Sequence, residues 1–82
     1  MVFIKSGQER WNSGPYTIAK YDDGFYAYQY FRYSYGGRDS KRLHRVNEPL
    51  PSLLAAKRLC LDVSAQPIAE GIRLIDAPFM IC

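Results

Sequence analysis

Residues 25–35 read Phe-Tyr-Ala-Tyr-Gln-Tyr-Phe-Arg-Tyr-Ser-Tyr. This run is the strongest constraint on the fold. Phe and Tyr fit the pleated, half-buried surface of a strand. As a strand they divide into two sets. Tyr26, Tyr28, Tyr30 and Arg32 fall on one face, and Phe25, Ala27, Gln29, Phe31, Tyr33 and Tyr35 on the other. The second set is the more apolar and is expected under whatever covers the sheet. The first set is left to solvent, to a partner or to another part of the chain.

The flanking residues supply a fold around this strand. Tyr16–Tyr21 is β-branched and aromatic and reads as a strand. Asp22-Asp23-Gly24 then predicts a hairpin, because glycine reaches the positive φ of a tight turn. Gly36-Gly37 followed by Arg38-Asp39 predicts a second turn, and Lys41–Val46 a third strand. The charges of that strand suit an edge that guards itself against further pairing. Met1–Lys5 reads as a short strand and 6–15 as a loop, with Trp11 folding back to cap the core. Asn47–Pro51 is a stiff connector, since Pro49 and Pro51 oppose both helix and ladder.

Ser52 is a natural N-cap. Leu53, Ala56, Cys60 and Val63, with Leu59 beside them, form the apolar stripe of a helix from Leu53 to about Ser64. Lys57, Arg58 and Asp62 make its wet face, and Gln66-Pro67 ends it. Gly71 and Pro78 break the apolar tail 66–82. Ile72–Ile75 reads as a strand and Phe79–Cys82 as another. The last segment either pairs with Val2–Lys5 or contributes to a homodimer. The expected fold is α+β: a small antiparallel sheet of three to five strands with one amphipathic helix packed on one face. A chain of 82 residues holds one domain, with its core at about 11–64.

Several function classes fall away. There is no run of about 18 apolar residues, so no membrane span is expected. Met1–Lys5 lacks the basic and apolar regions of a signal peptide, which points to a cytosol. Cys60 and Cys82 are too few for a disulfide framework. They are expected as thiols, with a Cys60–Cys82 bridge as the alternative for a secreted chain. Cys60 and His44 are the only candidate nucleophile and base, and Cys60 lies on the apolar stripe, where it packs as a small hydrophobe. One His and two distant Cys do not make a zinc site. Asp22-Asp23 beside glycine reads as turn chemistry, and Gly36-Gly37 lacks the lysine and helix of a phosphate loop. No enzyme, cofactor or metal is expected.

The segments Trp11-Asn-Ser-Gly-Pro-Tyr-Thr-Ile-Ala-Lys20, Gly24-Phe-Tyr-Ala-Tyr28 and Ala55-Ala-Lys-Arg-Leu-Cys60 resemble small bacteriophage and prophage proteins. The shared form is a Trp, a Gly-x-Tyr-x-Ile-Ala strand, a Tyr-rich strand and an Ala-Ala-Lys-x-x-Cys helix. It covers about residues 11–64 and rests on structural positions. The Pro49/Pro51 connector and the apolar tail depart from it. The resemblance implies a phage-type protein in a bacterial host cytosol. Proteins of that kind commonly bind and block host machinery, CRISPR effectors included. It transfers no functional residue.

The net charge of +3 is local. Residues 26–46 hold Arg32, Arg38, Lys41, Arg42 and Arg45 against Asp39, a net of +4, while residues 1–25 are neutral and 47–82 carry −1. Five of the seven tyrosines lie in the same stretch. Tyr26, Tyr28, Tyr30, Arg32, Arg38, Lys41, Arg42 and Arg45 are therefore the candidate partner-binding residues. Tyr and Arg suit a protein interface, because each joins large area to a polar tip. The same residues suit nucleic acid, with rings stacking bases and cations holding phosphates through segment 32–45. The structural alternative is that cross-strand tyrosines stabilise the sheet, Ile72–Ile75 covers them and the arginines keep the chain dispersed. The leading expectation is a non-enzymatic inhibitor of a host protein or ribonucleoprotein complex, anti-CRISPR in kind. A small DNA- or RNA-binding protein using the same surface is the alternative.

Overall fold

The computed structural model describes residues 2–76. The fold is α+β. Strands β1 (Ile4–Gly7), β2 (Arg10–Ser13), β3 (Tyr16–Tyr21), β4 (Gly24–Tyr35) and β5 (Arg38–Arg45) follow one another and are neighbours in chain order. Helix α1 (Leu53–Ser64) comes next, and strand β6 (Ile72–Leu74) returns to β4. All of these pairings are antiparallel.

Strand β4 organises the sheet. One edge pairs first with β3, from Gly24 to Gln29, and then with β6, from Phe31 to Tyr33. At the junction the Tyr30 N–H donates to Pro15 O and the Ile75 N–H to Tyr30 O. The other edge pairs with β5 from Tyr28 to Tyr35. Below that the connector takes over. Val46 N–H donates to Ala27 O, and Leu50 exchanges both backbone hydrogen bonds with Phe25. Between them the Asn47 carboxamide stands in for a peptide group. Its Oδ1 accepts from the Ala27 N–H at 2.7 Å and its Nδ2 donates to Phe25 O at 3.4 Å. The expectation that prolines keep the connector out of the ladder is thus corrected. Leu50, lying between them, keeps its own N–H.

Helix α1 begins as the sequence predicts. The Ser52 hydroxyl accepts from the Ala55 N–H at 3.1 Å, a cap contributing about 1 kcal/mol. Ala56 and Cys60 are fully buried against a cluster containing Tyr16, Ile18 and Ala27, with Leu53, Leu59 and Val63 packed around it. Small residues on both surfaces let helix and sheet approach closely. Among the described strands, the helix lies over β3 and β4.

The loop expected over 6–15 is instead the end of β1, strand β2 and two tight turns. Arg-Trp-Asn-Ser has weak strand propensity. Its pairing is held by specific contacts. Trp11 packs on Phe25 with centroids 6.1 Å apart. On the other face the buried Asn12 accepts from Thr17 Oγ1 and donates to Ser6 Oγ, both at 2.6 Å. Strand β5 also starts at Arg38, earlier than the expected Lys41. The expected tail strand at 72–75 is present as β6, lying beside β4 in the plane of the sheet and not across the tyrosines. The expected strand at Phe79–Cys82, and with it the choice between docking and dimer, lies outside the described residues.

Gly24 combines φ +139° with a close approach: an added Cβ would lie 2.7 Å from Leu50 O. Gly24→Ala is expected to lose more than about 1 kcal/mol, through strain and the displaced connector. Asn47→Ala is expected to lose about 1–3 kcal/mol, because the Ala27 N–H loses its partner and Phe25 O keeps only Leu50. Asn47→Asp, which keeps only the acceptor, should fall between. Urea midpoints at constant slope measure all three.

Candidate binding surface

The register assigns every charged residue of β5 to a face. Paired residues of an antiparallel ladder project to the same side. Arg45 stands opposite Tyr28, Leu43 opposite Tyr30 and Lys41 opposite Arg32. These share the face away from the helix. Arg42 stands opposite Phe31 and Arg38 opposite Tyr35, on the helix side. Of the eight candidate residues, Tyr26, Tyr28, Tyr30, Arg32, Lys41 and Arg45 are therefore brought together, and Arg38 and Arg42 are not. Arg42 is occupied elsewhere: its Nη2 donates to the Tyr33 hydroxyl at 3.4 Å, and its guanidinium lies 5.9 Å from that ring. That hydrogen bond holds the Tyr33 phenol below its usual pKa.

At the end near the Asp22-Asp23 turn, this face forms an open hollow of about 540 Å³. Tyr21, Tyr26 and Tyr28 are its aromatic walls, Arg45 brings positive charge, and Asp22 and Asp23 lie at the rim; Lys20 borders it too, but its ammonium lies on the other side of the sheet, near Phe25 and Glu9. The walls support one another. Tyr21 meets Tyr26 edge-on at 5.3 Å, and the Arg45 guanidinium sits 4.9 Å from the Tyr26 ring centroid. The Tyr26 hydroxyl donates to Asp23, which pushes its pKa up. Tyr26 is buried, while Tyr28 and Tyr30 are half-buried. The row of tyrosines is thus graded, with Tyr26 a fixed wall and Tyr30 more open. Tyr28 is pushed up to about 12, first by burial and then by its hydrogen bond with Tyr21.

Sequence reasoning missed two members of this face. Tyr21, 49% exposed, comes from β3. Arg73 comes from β6 and stands directly opposite Arg32. Their positions follow from strand pairing, which no local pattern shows. Alternation along β5 would have separated Arg38 and Arg42 from Lys41 and Arg45.

The groups considered for catalysis lie apart in character. Cys60 is fully buried, and burial pushes its thiol up to about 12. His44 is exposed on β5, edge-on to Phe31 at 6.5 Å. Among the described residues no group of three His, Cys, Asp or Glu is placed to hold a metal, and no helix is long and apolar enough to cross a membrane.

Two outcomes follow. In a Cys82→Ser background, Cys60 should resist a thiol reagent at pH 8 and react readily once denatured. A fast native reaction would contradict its burial. For Tyr28, the folded chain keeps the phenolic proton up to about pH 12, whereas the unfolded chain releases it near the ordinary 10.0. The native state then binds more protons, so stability should fall as pH rises between those values. Tyr28→Phe should flatten that fall in denaturation curves taken across the window. No protein-family model, curated protein or solved structure matches the chain.

Proposed function

We propose that the chain acts by binding and not by catalysis, using the face of the sheet that the helix leaves uncovered. The observation that carries this reading is the composition of that face. Tyr21, Tyr26, Tyr28 and Arg45 line an open hollow at one end of it, and Tyr30, Arg32 and Lys41 continue the same face along β4 and β5. Rigid aromatic walls lose little side-chain entropy on contact, and arginine adds directed polar contacts. The partner we infer is a host protein or ribonucleoprotein complex whose working surface the chain blocks. The sequence resemblance to small phage proteins supports this partner class, and an anti-CRISPR role is its most concrete version.

The test separates the two faces. A tagged wild-type chain is expressed in a bacterium whose CRISPR system restricts a targeted phage. It should restore plaques and retain a component of the effector through purification. Tyr21→Ala with Arg45→Glu changes two exposed side chains of the proposed face and should abolish both effects. Arg38→Ala with Arg42→Ala changes the opposite face and should leave both intact. If the first variant protects the phage as well as wild type, the assigned surface is wrong. If the wild type restores no plaques and captures no effector component, the anti-CRISPR role is excluded.

A further inference from the structure

At the far end of the same face, three cations stand in one row across three strands. Arg32 on β4 is paired on one side with Arg73 of β6 and on the other with Lys41 of β5. Neighbouring strands lie about 4.8 Å apart, so the three side chains leave the sheet within about 10 Å of one another. Like charges placed directly opposite destabilise a sheet. Among the described residues, none of the three has a carboxylate partner; the ion pair found there is Lys20 with Glu9. The nearest acid along β5 on this face, Asp39, takes a hydrogen bond from Ser34. Arg32, Arg73 and Ser34 line a cavity of about 250 Å³ with Gly71 and Ile72. A like-charged row of this kind works against folding, and such breaches of local rules mark functional positions.

We propose that the Arg73–Arg32–Lys41 row binds consecutive phosphates of a single-stranded nucleic acid. The inference rests on the binding role proposed above and names the chemistry of the partner at this end of the face. Charge complementarity requires a repeated anion. The residues next along β4 and β5 favour a nucleotide chain over an acidic peptide. Tyr30 and Leu43 stand opposite each other, two positions from the row and on its side of the sheet. Leu43 is 40% exposed, and the Tyr30 ring makes no hydrogen bond or ring contact with any described residue. Together they form a small apolar platform beside the cations, suited to one base for every phosphate or two held. Stacking on it needs the face of a base, which a duplex hides within its own stack.

The experiment is fluorescence anisotropy with a labelled single-stranded RNA of about a dozen nucleotides and with the same sequence as a duplex. Wild type should prefer the single strand. For three phosphates, log affinity should fall against log salt with a slope of about −2. Arg32→Gln/Lys41→Gln/Arg73→Gln should weaken binding more than tenfold and flatten the slope. The charge-matched control Arg38→Gln/Arg42→Gln/Lys57→Gln, off this face, should stay within twofold of wild type. Tyr30→Ala should lose about tenfold in affinity with the slope unchanged. The row variant should melt no lower than wild type, since repulsion is removed. Should it fail to fold, Lys41→Gln and Arg73→Gln alone, both at exposed positions, carry the test. Equal loss in the control would reduce the effect to bulk charge and overturn the row. Equal duplex affinity with Tyr30→Ala neutral would overturn the single-strand assignment. Absence of RNA binding at low salt would overturn the inference. Phage protection sensitive to Arg45→Glu would, in that case, leave the broader binding role standing. Competition by a polyglutamate peptide and not by RNA would assign the row to an acidic protein.

Discussion

A strand of twelve residues needs more backbone partners than any one neighbour in this chain can supply. Strand β4 runs for about 37 Å at 3.4 Å per residue, against a longest molecular dimension of 39 Å. Its edges are therefore completed in series: β3 then β6 on one side, the connector then β5 on the other. Everything else is arranged around that requirement. The connector must come back close enough to reach Phe25, which is why Gly24 has no room for a Cβ. The chain after the helix must return to cover Phe31–Tyr33. The helix is held between these two returns, over β3 and β4.

That arrangement gives the two faces different fates. The helix side gathers Ile18, Ala27, Ala56 and Cys60 into a core without a buried unpaired side-chain polar atom among the described residues. The other side has no covering element in the described chain. It is held by contacts made within the sheet: the Ser6–Asn12–Thr17 hydrogen bonds at one edge and the Tyr21–Tyr26–Arg45 stack in the middle. Such contacts bury Asn12, Thr17 and Tyr26 and leave Tyr21 and Arg45 exposed. Side chains held in this way have little rotamer freedom left to lose.

Local pattern carried much of this fold. The aromatic alternation, Gly24, Ser52 and the stripe from Leu53 to Val63 each act through their nearest neighbours, so each could be read in place. Strand β2 could not. Asn12 and Ser13 are loop formers by propensity, and Asn12 is buried because its amide meets Thr17 and Ser6 on adjacent strands. Asn47 is likewise ordinary in a connector until its carboxamide is seen completing the β4 ladder. The basic stretch was legible as a charge excess but not as a surface. Its parity splits it between two faces, and the residue completing its most crowded row, Arg73, arrives from the far end of the chain.

The connector has a consequence for how anything can take hold of this sheet. An added strand needs a free row of N–H and C=O groups. Around Phe25–Ala27 that row is already taken by Leu50 and the Asn47 side chain, with Pro49 and Pro51 flanking Leu50 and offering no donors. Strand β1 has only four residues and an irregular register, β6 has three, and β5 presents a charged border. Backbone zippering to another chain is discouraged at each described margin. What the described chain leaves open is the flat of the sheet, and it presents rings and cations rather than main chain.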